Sequence, residues 1–87
     1  MKKRGRPDII AEVLEAANGG VGKTRLLTKA NLTSIQLKKY VNLMLEKDLL
    51  ALCENRRNGH PMYKTTGLGL QYLSLYNSIR SVAFINA

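Results

Sequence analysis

The sequence contains one cysteine, one histidine and two prolines in 87 residues, and only six acidic side chains. Because Cys53 and His60 each stand alone, neither an internal disulfide nor a Cys/His metal site can be assembled within one chain, and no metal is expected. A chain without disulfides fits a reducing compartment. No apolar run approaches the roughly 18 residues of a membrane span. Glu12 and Glu15 interrupt the apolar residues after the basic start, which excludes a secretory signal pattern. The expected location is the cytoplasm, in association with the nucleoid, with no membrane partner. A chain of this length holds one modest core and no two-domain enzyme.

What the sequence has in excess is positive charge, with 14 Lys and Arg and a formal net charge of +8. That density points to a polyanionic partner, nucleic acid by default. The surplus is uneven. Lys2, Lys3, Arg4 and Arg6 stand within five residues, and residues 1–7 read as a basic flexible arm.

From Asp8 to Ala17, Ile9, Ile10, Val13, Leu14 and Ala17 recur at helical spacing behind the start signals Pro7 and Asp8. Asn18, Gly19, Gly20 and Gly22 break this helix. A short second helix follows over Lys23 to Ala30, with Leu26, Leu27 and Ala30 inward. Asn31 and Leu32 make a tight turn, and Thr33 is the N-cap of a third helix reaching about Lys47. Two helices joined by so short a turn form a helix-turn-helix. Leu49 to Glu54 reads as a strand, Asn55 to Pro61 as a turn and Met62 to Thr65 as a second strand, giving a two-stranded wing. Thr66 then caps a long last helix despite Gly67 and Gly69.

The expected fold class is mainly α (α+β): a winged helix-turn-helix of three helices, a two-stranded wing and a long C-terminal helix. Residues 8–66 form the winged domain, and residues 67–87 the C-terminal helix. On the third helix, Leu37, Val41, Met44 and Leu45 build one apolar stripe. The opposite face carries Ile35, Gln36, Lys38, Lys39, Asn42 and Glu46. In the last helix Leu68, Tyr72, Leu75, Ile79 and Val82 step by four and three, the spacing of an a/d seam. This seam has two readings, a homodimer contact or a helix that closes its own core. Leu73 and Tyr76 lie beside it, toward the domain.

The order helix, helix, helix, hairpin, long helix is joined by local matches. These are Ile9 to Ala16 in the first helix, Lys23 to Leu27 with Lys29 to Thr33 in the second helix and turn, and Gln36 to Val41 in the third. Tyr63-Lys64-Thr65-Thr66 with Gly69 forms a strand-to-helix signature. Together they resemble the archaeal ten-kilodalton winged-helix DNA-binding proteins, the chromatin-associated type that dimerises through a C-terminal coiled coil. The resemblance covers Ile9 to Tyr76. It implies double-stranded DNA binding, the third helix in the major groove, and a homodimer. Asp48 stands where that family usually has a helix-ending glycine, and Asp tolerates the left-handed conformation better than most residues. Thr65 replaces an apolar strand residue, which is expected to weaken the hairpin's contact with the core. The last helix is shorter and less charged than the family's coiled coil.

Several stretches have competing readings. Ala17 to Thr24, Ala-Asn-Gly-Gly-Val-Gly-Lys-Thr, approaches the phosphate-loop pattern, but it follows an amphipathic helix instead of a buried parallel strand and reads as a linker. Arg4-Gly5-Arg6-Pro7 matches the core of an AT-hook, whose extended arginines enter a narrow minor groove; a non-specific basic arm is the alternative. Gln36 and Asn42 are assigned to base edges, because their amides can bond adenine bidentately. Lys38 and Lys39, with Ser34 at the start of the same helix, are assigned to the duplex, the lysines holding phosphate. Lys23 and Arg25 open the second helix, where anions are favoured. Arg56 and Arg57 at the wing tip complete the set as phosphate or minor-groove contacts. Ile35 fits either a thymine methyl or another protein. Cys53 is expected to be a small core hydrophobe.

The expected activity is double-stranded DNA binding, as a transcriptional regulator or an architectural chromatin protein. No catalytic residue, cofactor or small-molecule ligand is expected. The alternatives are a protein-interaction module built on the same fold and a binder of RNA or single strands through the dispersed tyrosines.

Overall fold

The computed structural model describes residues 4–85, with side chains to residue 82; Lys2 and Lys3 of the basic arm, and Asn86 and Ala87, lie outside the described residues. The elements are α1 (Arg6–Ala16), β1 (Val21–Gly22), α2 (Lys23–Ala30), α3 (Ser34–Glu46), β2 (Leu50–Glu54), β3 (Pro61–Thr65) and α4 (Gly67–Ile85). Every expected helix and strand is present. The expected two-stranded wing is part of a three-stranded antiparallel sheet in the order β1-β3-β2. β1 adds itself through Val21 opposite Tyr63 and Gly22 opposite Met62. A two-residue strand carries no period, so only its partner reveals it.

Local chemistry sets the helix ends. Gly5 caps α1, and the Asp8 carboxylate accepts the Gly5 N–H at 2.9 Å. Asp8 therefore acts from the third helical position, and α1 starts two residues earlier than expected, taking in Arg6 and Pro7. The linker after α1 turns on Gly19 and Gly20, with φ of 91° and 103°, a region open to glycine at no steric cost. α2 ends on Asn31 in the left-handed conformation. Thr33 and Gln36 then form a capping box: Gln36 N donates to Thr33 Oγ1 at 3.2 Å, and Thr33 N donates to Gln36 Oε1 at 3.1 Å. Asp48, with φ of 60°, reverses the chain after α3. Asp48 thus takes the left-handed conformation for which glycine is the usual residue.

The core gathers one face from each helix and the start of β2. Val13, Leu14, Leu26, Leu37 and Met44 are fully buried, with Val41, Leu50 and Leu73 beside them. Burying such side chains contributes about 1.5–3 kcal/mol each. Thr65 lies inside this core, and the expectation that it weakens the hairpin is corrected. Its hydroxyl donates to the Leu14 carbonyl, and its N–H donates to Ala17 O at 3.2 Å. Together these two bonds tie β3 to the end of α1.

Thr66 repeats the device one residue on. Its N–H donates to Leu49 O at 3.1 Å, and its hydroxyl oxygen accepts the Gly69 N–H at 3.0 Å, capping α4. Gly69 is buried because α4 crosses here at close range. A Cβ at that position would overlap the Leu49 carbonyl oxygen and lie 2.6 Å from Thr65 Cγ2. What reads as a weak helix former is a requirement of packing.

Candidate nucleic-acid interface

α3 buries Leu37, Val41 and Met44 and exposes the opposite side. Lys38 and Lys39 lie three and four residues beyond Ile35, and Asn42 four and three beyond them, so the four share the exposed face, with Glu46 at its end. Ser34, the first helical residue, is exposed as well. Gln36 is exposed, but the capping box occupies its Oε1. Bidentate pairing with adenine needs that oxygen as acceptor and the amide nitrogen as donor. Gln36 thus caps α3 through one lone pair of Oε1 and keeps the second lone pair and its amide donors.

The N-terminal arginines differ from expectation. An AT-hook needs an extended Arg-Gly-Arg segment, whereas here Gly5 is a helix cap and Arg6 the first residue of α1. Arg4 crosses to the helix-turn-helix turn. It pairs with Glu12 and donates to Ala30 O at 2.7 Å and to Asn31 O at 2.9 Å. These are end carbonyls of α2, where a cation is favoured by the helix dipole. Arg4 thus clasps α1 to the turn that precedes α3. Arg6 instead lines an open groove with Lys39, Tyr40, Asn42, Leu43 and Glu46. The structure therefore brings Arg6, Lys39 and Asn42 together, two of them cations.

Lys23 and Arg25 are exposed on the first turn of α2, beside β1. No side chain caps that terminus and its first turn has no acidic residue, leaving it attractive to anions. Arg56 and Arg57 project from the turn between β2 and β3, on a different element from α3. That turn is held by asparagines: Asn55 Oδ1 accepts Arg57 N at 2.8 Å, and Asn58 Oδ1 accepts His60 N at 2.9 Å. Such Asx turns, signalled by asparagines two residues ahead of their donors, fix the backbone that presents the arginines.

Cys53 is exposed, which corrects its assignment to the core. β2 is an edge strand whose residues are exposed after Leu50, and Leu52 is itself 59% exposed. The hairpin has left the core by that point. No group of three or more His, Cys, Asp or Glu placed to hold a metal occurs among the described residues. Among them, no helix is long and apolar enough to cross a membrane. Ala17 to Thr24 passes from a helix end through an antiparallel edge strand into α2, and so lacks the parallel strand that precedes a phosphate loop.

α4 has two apolar sides. Leu73 faces the core, whereas Leu68, Leu75, Ile79 and Val82 of the a/d seam are exposed, Ile79 by 70%. Tyr72 lies at the border, half-buried, with its hydroxyl 3.3 Å from Pro7 O and its ring stacked on Tyr76 at 6.4 Å. Tyr76 donates to Asp8 Oδ1. That bond, with the Gly5 N–H, holds the Asp8 carboxyl below the ordinary aspartate range. The same bond raises the Tyr76 phenol, with smaller contributions from burial and the Asp8 charge. Burial first, then Asp8, raises Tyr72. Asp8 thus starts α1 with one oxygen and anchors α4 with the other.

A short-turn helix pair with an exposed, cation-bearing second helix, followed by a hairpin with a basic tip, defines a winged helix-turn-helix protein. The chain belongs to the winged helix-turn-helix family, which it matches over residues 3–84. Among solved structures it is similar to Sso10a-2, a DNA-binding protein from Sulfolobus solfataricus. The TM-score is 0.81, with 19% identity over 92% of this chain and 82% of that one. At that identity the likeness is one of fold, and it is the archaeal winged-helix fold that the sequence resembles. No curated protein sequence matches the chain.

Proposed function

We propose that this protein binds double-stranded DNA without catalysing a reaction, as a nucleoid-associated homodimer. α3 lies in the major groove, with Lys38 and Lys39 on phosphates and Asn42 at a base edge. Arg6 shares the groove beside Lys39 and adds a phosphate contact there. Lys23 and Arg25 at the start of α2, and Arg56 and Arg57 on the wing, extend the footprint along the backbone. The exposed cationic face of α3, set on a helix-turn-helix frame, carries this reading. The family membership and the fold shared with a DNA-binding protein support it. The homodimer forms through the exposed seam of α4, where Leu68, Leu75, Ile79 and Val82 leave an apolar stripe beside Tyr72.

Titration of a duplex at rising salt tests the binding. A protein that neutralises about 6–10 phosphates loses about 10³–10⁵ in affinity between 50 and 200 mM salt. An affinity independent of salt, or no binding at low salt, would remove DNA as the partner. Selection from a random duplex library separates two roles. A regulator enriches a defined motif, and an architectural protein enriches nothing beyond base composition.

A further inference from the structure

Ile35 is the most exposed large hydrophobic residue of the described chain, at 84%. The other exposed large hydrophobics lie on α4, where all but Leu70 belong to the seam, or on β2, where Leu52 leaves the core. Ile35 stands apart from both. It is the second residue of α3, at the end of a recognition helix whose residues come closest to base edges. Its neighbours on the same face are Lys38, Lys39 and Asn42, all exposed. A contiguous apolar patch marks a protein partner, whereas a single aliphatic side chain among cations and an amide fits a polyanion that offers one apolar group at a time. The major groove has one such group, the C5-methyl of thymine.

We infer that Ile35 is a specificity-determining residue that packs on a thymine methyl group, an inference resting on the proposed placement of α3 in the major groove. Asn42 lies seven residues further along the same face, about 10 Å at 1.5 Å per residue. At about 3.4 Å per base pair, that spacing corresponds to roughly three base pairs. The helix thus offers an aliphatic contact at one end of the step and an amide for adenine at the other.

Replacing thymine by uracil removes the methyl and leaves the hydrogen-bonding edge intact. The full chain and Ile35→Ala, whose site is too exposed to disturb the core, are titrated at one salt concentration. The two duplexes are alternating dA·dT and alternating dA·dU, so that every register presents the same groups. The expected result is about fourfold weaker binding of the uracil duplex by the native chain, the effect of one buried methyl. Ile35→Ala is expected to bind the two duplexes equally. Equal binding of both duplexes by the native chain, or a thymine preference retained in Ile35→Ala, would overturn the inference while leaving duplex binding standing. Failure to bind either duplex at low salt would overturn the DNA reading itself, and this inference with it.

Discussion

α3 and α4 each press one apolar side into the same core and turn another side outward, and the two outward sides have opposite chemistry. α3 shows lysines, an asparagine and one isoleucine. α4 shows leucine, isoleucine and valine at coiled-coil spacing and, along its described length, one cation, Arg80. The inner faces say how the domain holds together, and the outer faces say what each helix meets. A cationic surface is stable in water and waits for a polyanion, whereas an apolar stripe of this length favours a second apolar face. Neither could substitute for the other. The helix suited to a duplex offers little to a protein partner, and the helix suited to a protein partner offers little to phosphate.

Four measurements break or sharpen this contrast, in descending order of effect. Gly69→Ala attacks the inner side of α4, where a Cβ meets the Leu49 carbonyl oxygen and Thr65. A loss of about 3 kcal/mol is expected in chemical denaturation, at the upper end for overpacked sites because one neighbour is backbone. A second test charges the outer side. Leu75→Glu with Ile79→Glu is expected to weaken self-association by at least about a hundredfold in sedimentation equilibrium, since a charge buried without a partner is strongly disfavoured. The thermal stability of the monomeric domain should change little. If these variants remain as dimeric as the native chain, the seam is not the contact.

The third measurement moves to α3. Lys38→Ala with Lys39→Ala is expected to lower the slope of log affinity against log salt by about 1.8, since each phosphate no longer neutralised removes about 0.9. Folding stability should be unchanged, because both side chains lie on the exposed face. The smallest effect concerns the clasp between α1 and α4. Asp8 has a depressed pKa in the folded protein, so its contribution is present above the unfolded value and fades as pH falls below about 4. Tyr76 has a raised pKa, so its contribution is present below about pH 10 and fades above it. Tyr76→Phe should therefore lower Tm by a few degrees at neutral pH, with the difference shrinking at both extremes.

Much of the frame was legible because it follows a period. The stripe of Leu37, Val41 and Met44, the Thr33 cap and the turn at Asn31 stand where spacing and capping rules put them. What escaped depends on contacts between residues distant in the chain. β1 exists only through its pairing with β3. Thr65 looks like a weakness until the Leu14 carbonyl, 51 residues away, is seen to need its hydroxyl. The site divided along the same line. Lys38, Lys39 and Asn42 are placed by the helix itself, whereas Arg4 is claimed by Glu12 and the end of α2 before any partner arrives. Gln36 carries a local signal for its cap, the Thr-x-x-Gln spacing, beside an amide chemistry that also suits base edges. Cys53 differs from expectation because an apolar strand need not be buried throughout, and this strand leaves the core after its first residue.

The exposure of Cys53 has a practical side. It is the sole thiol of the sequence, it is accessible, and it sits on the wing, three residues before Arg56. A maleimide dye would therefore attach at one known position without any substitution. Its fluorescence would report whether a duplex approaches the wing at the moment α3 is occupied. In a homodimer each assembly would carry two such dyes, and energy transfer between them would measure the separation of the two wings, and hence the spacing of the half-sites they can span.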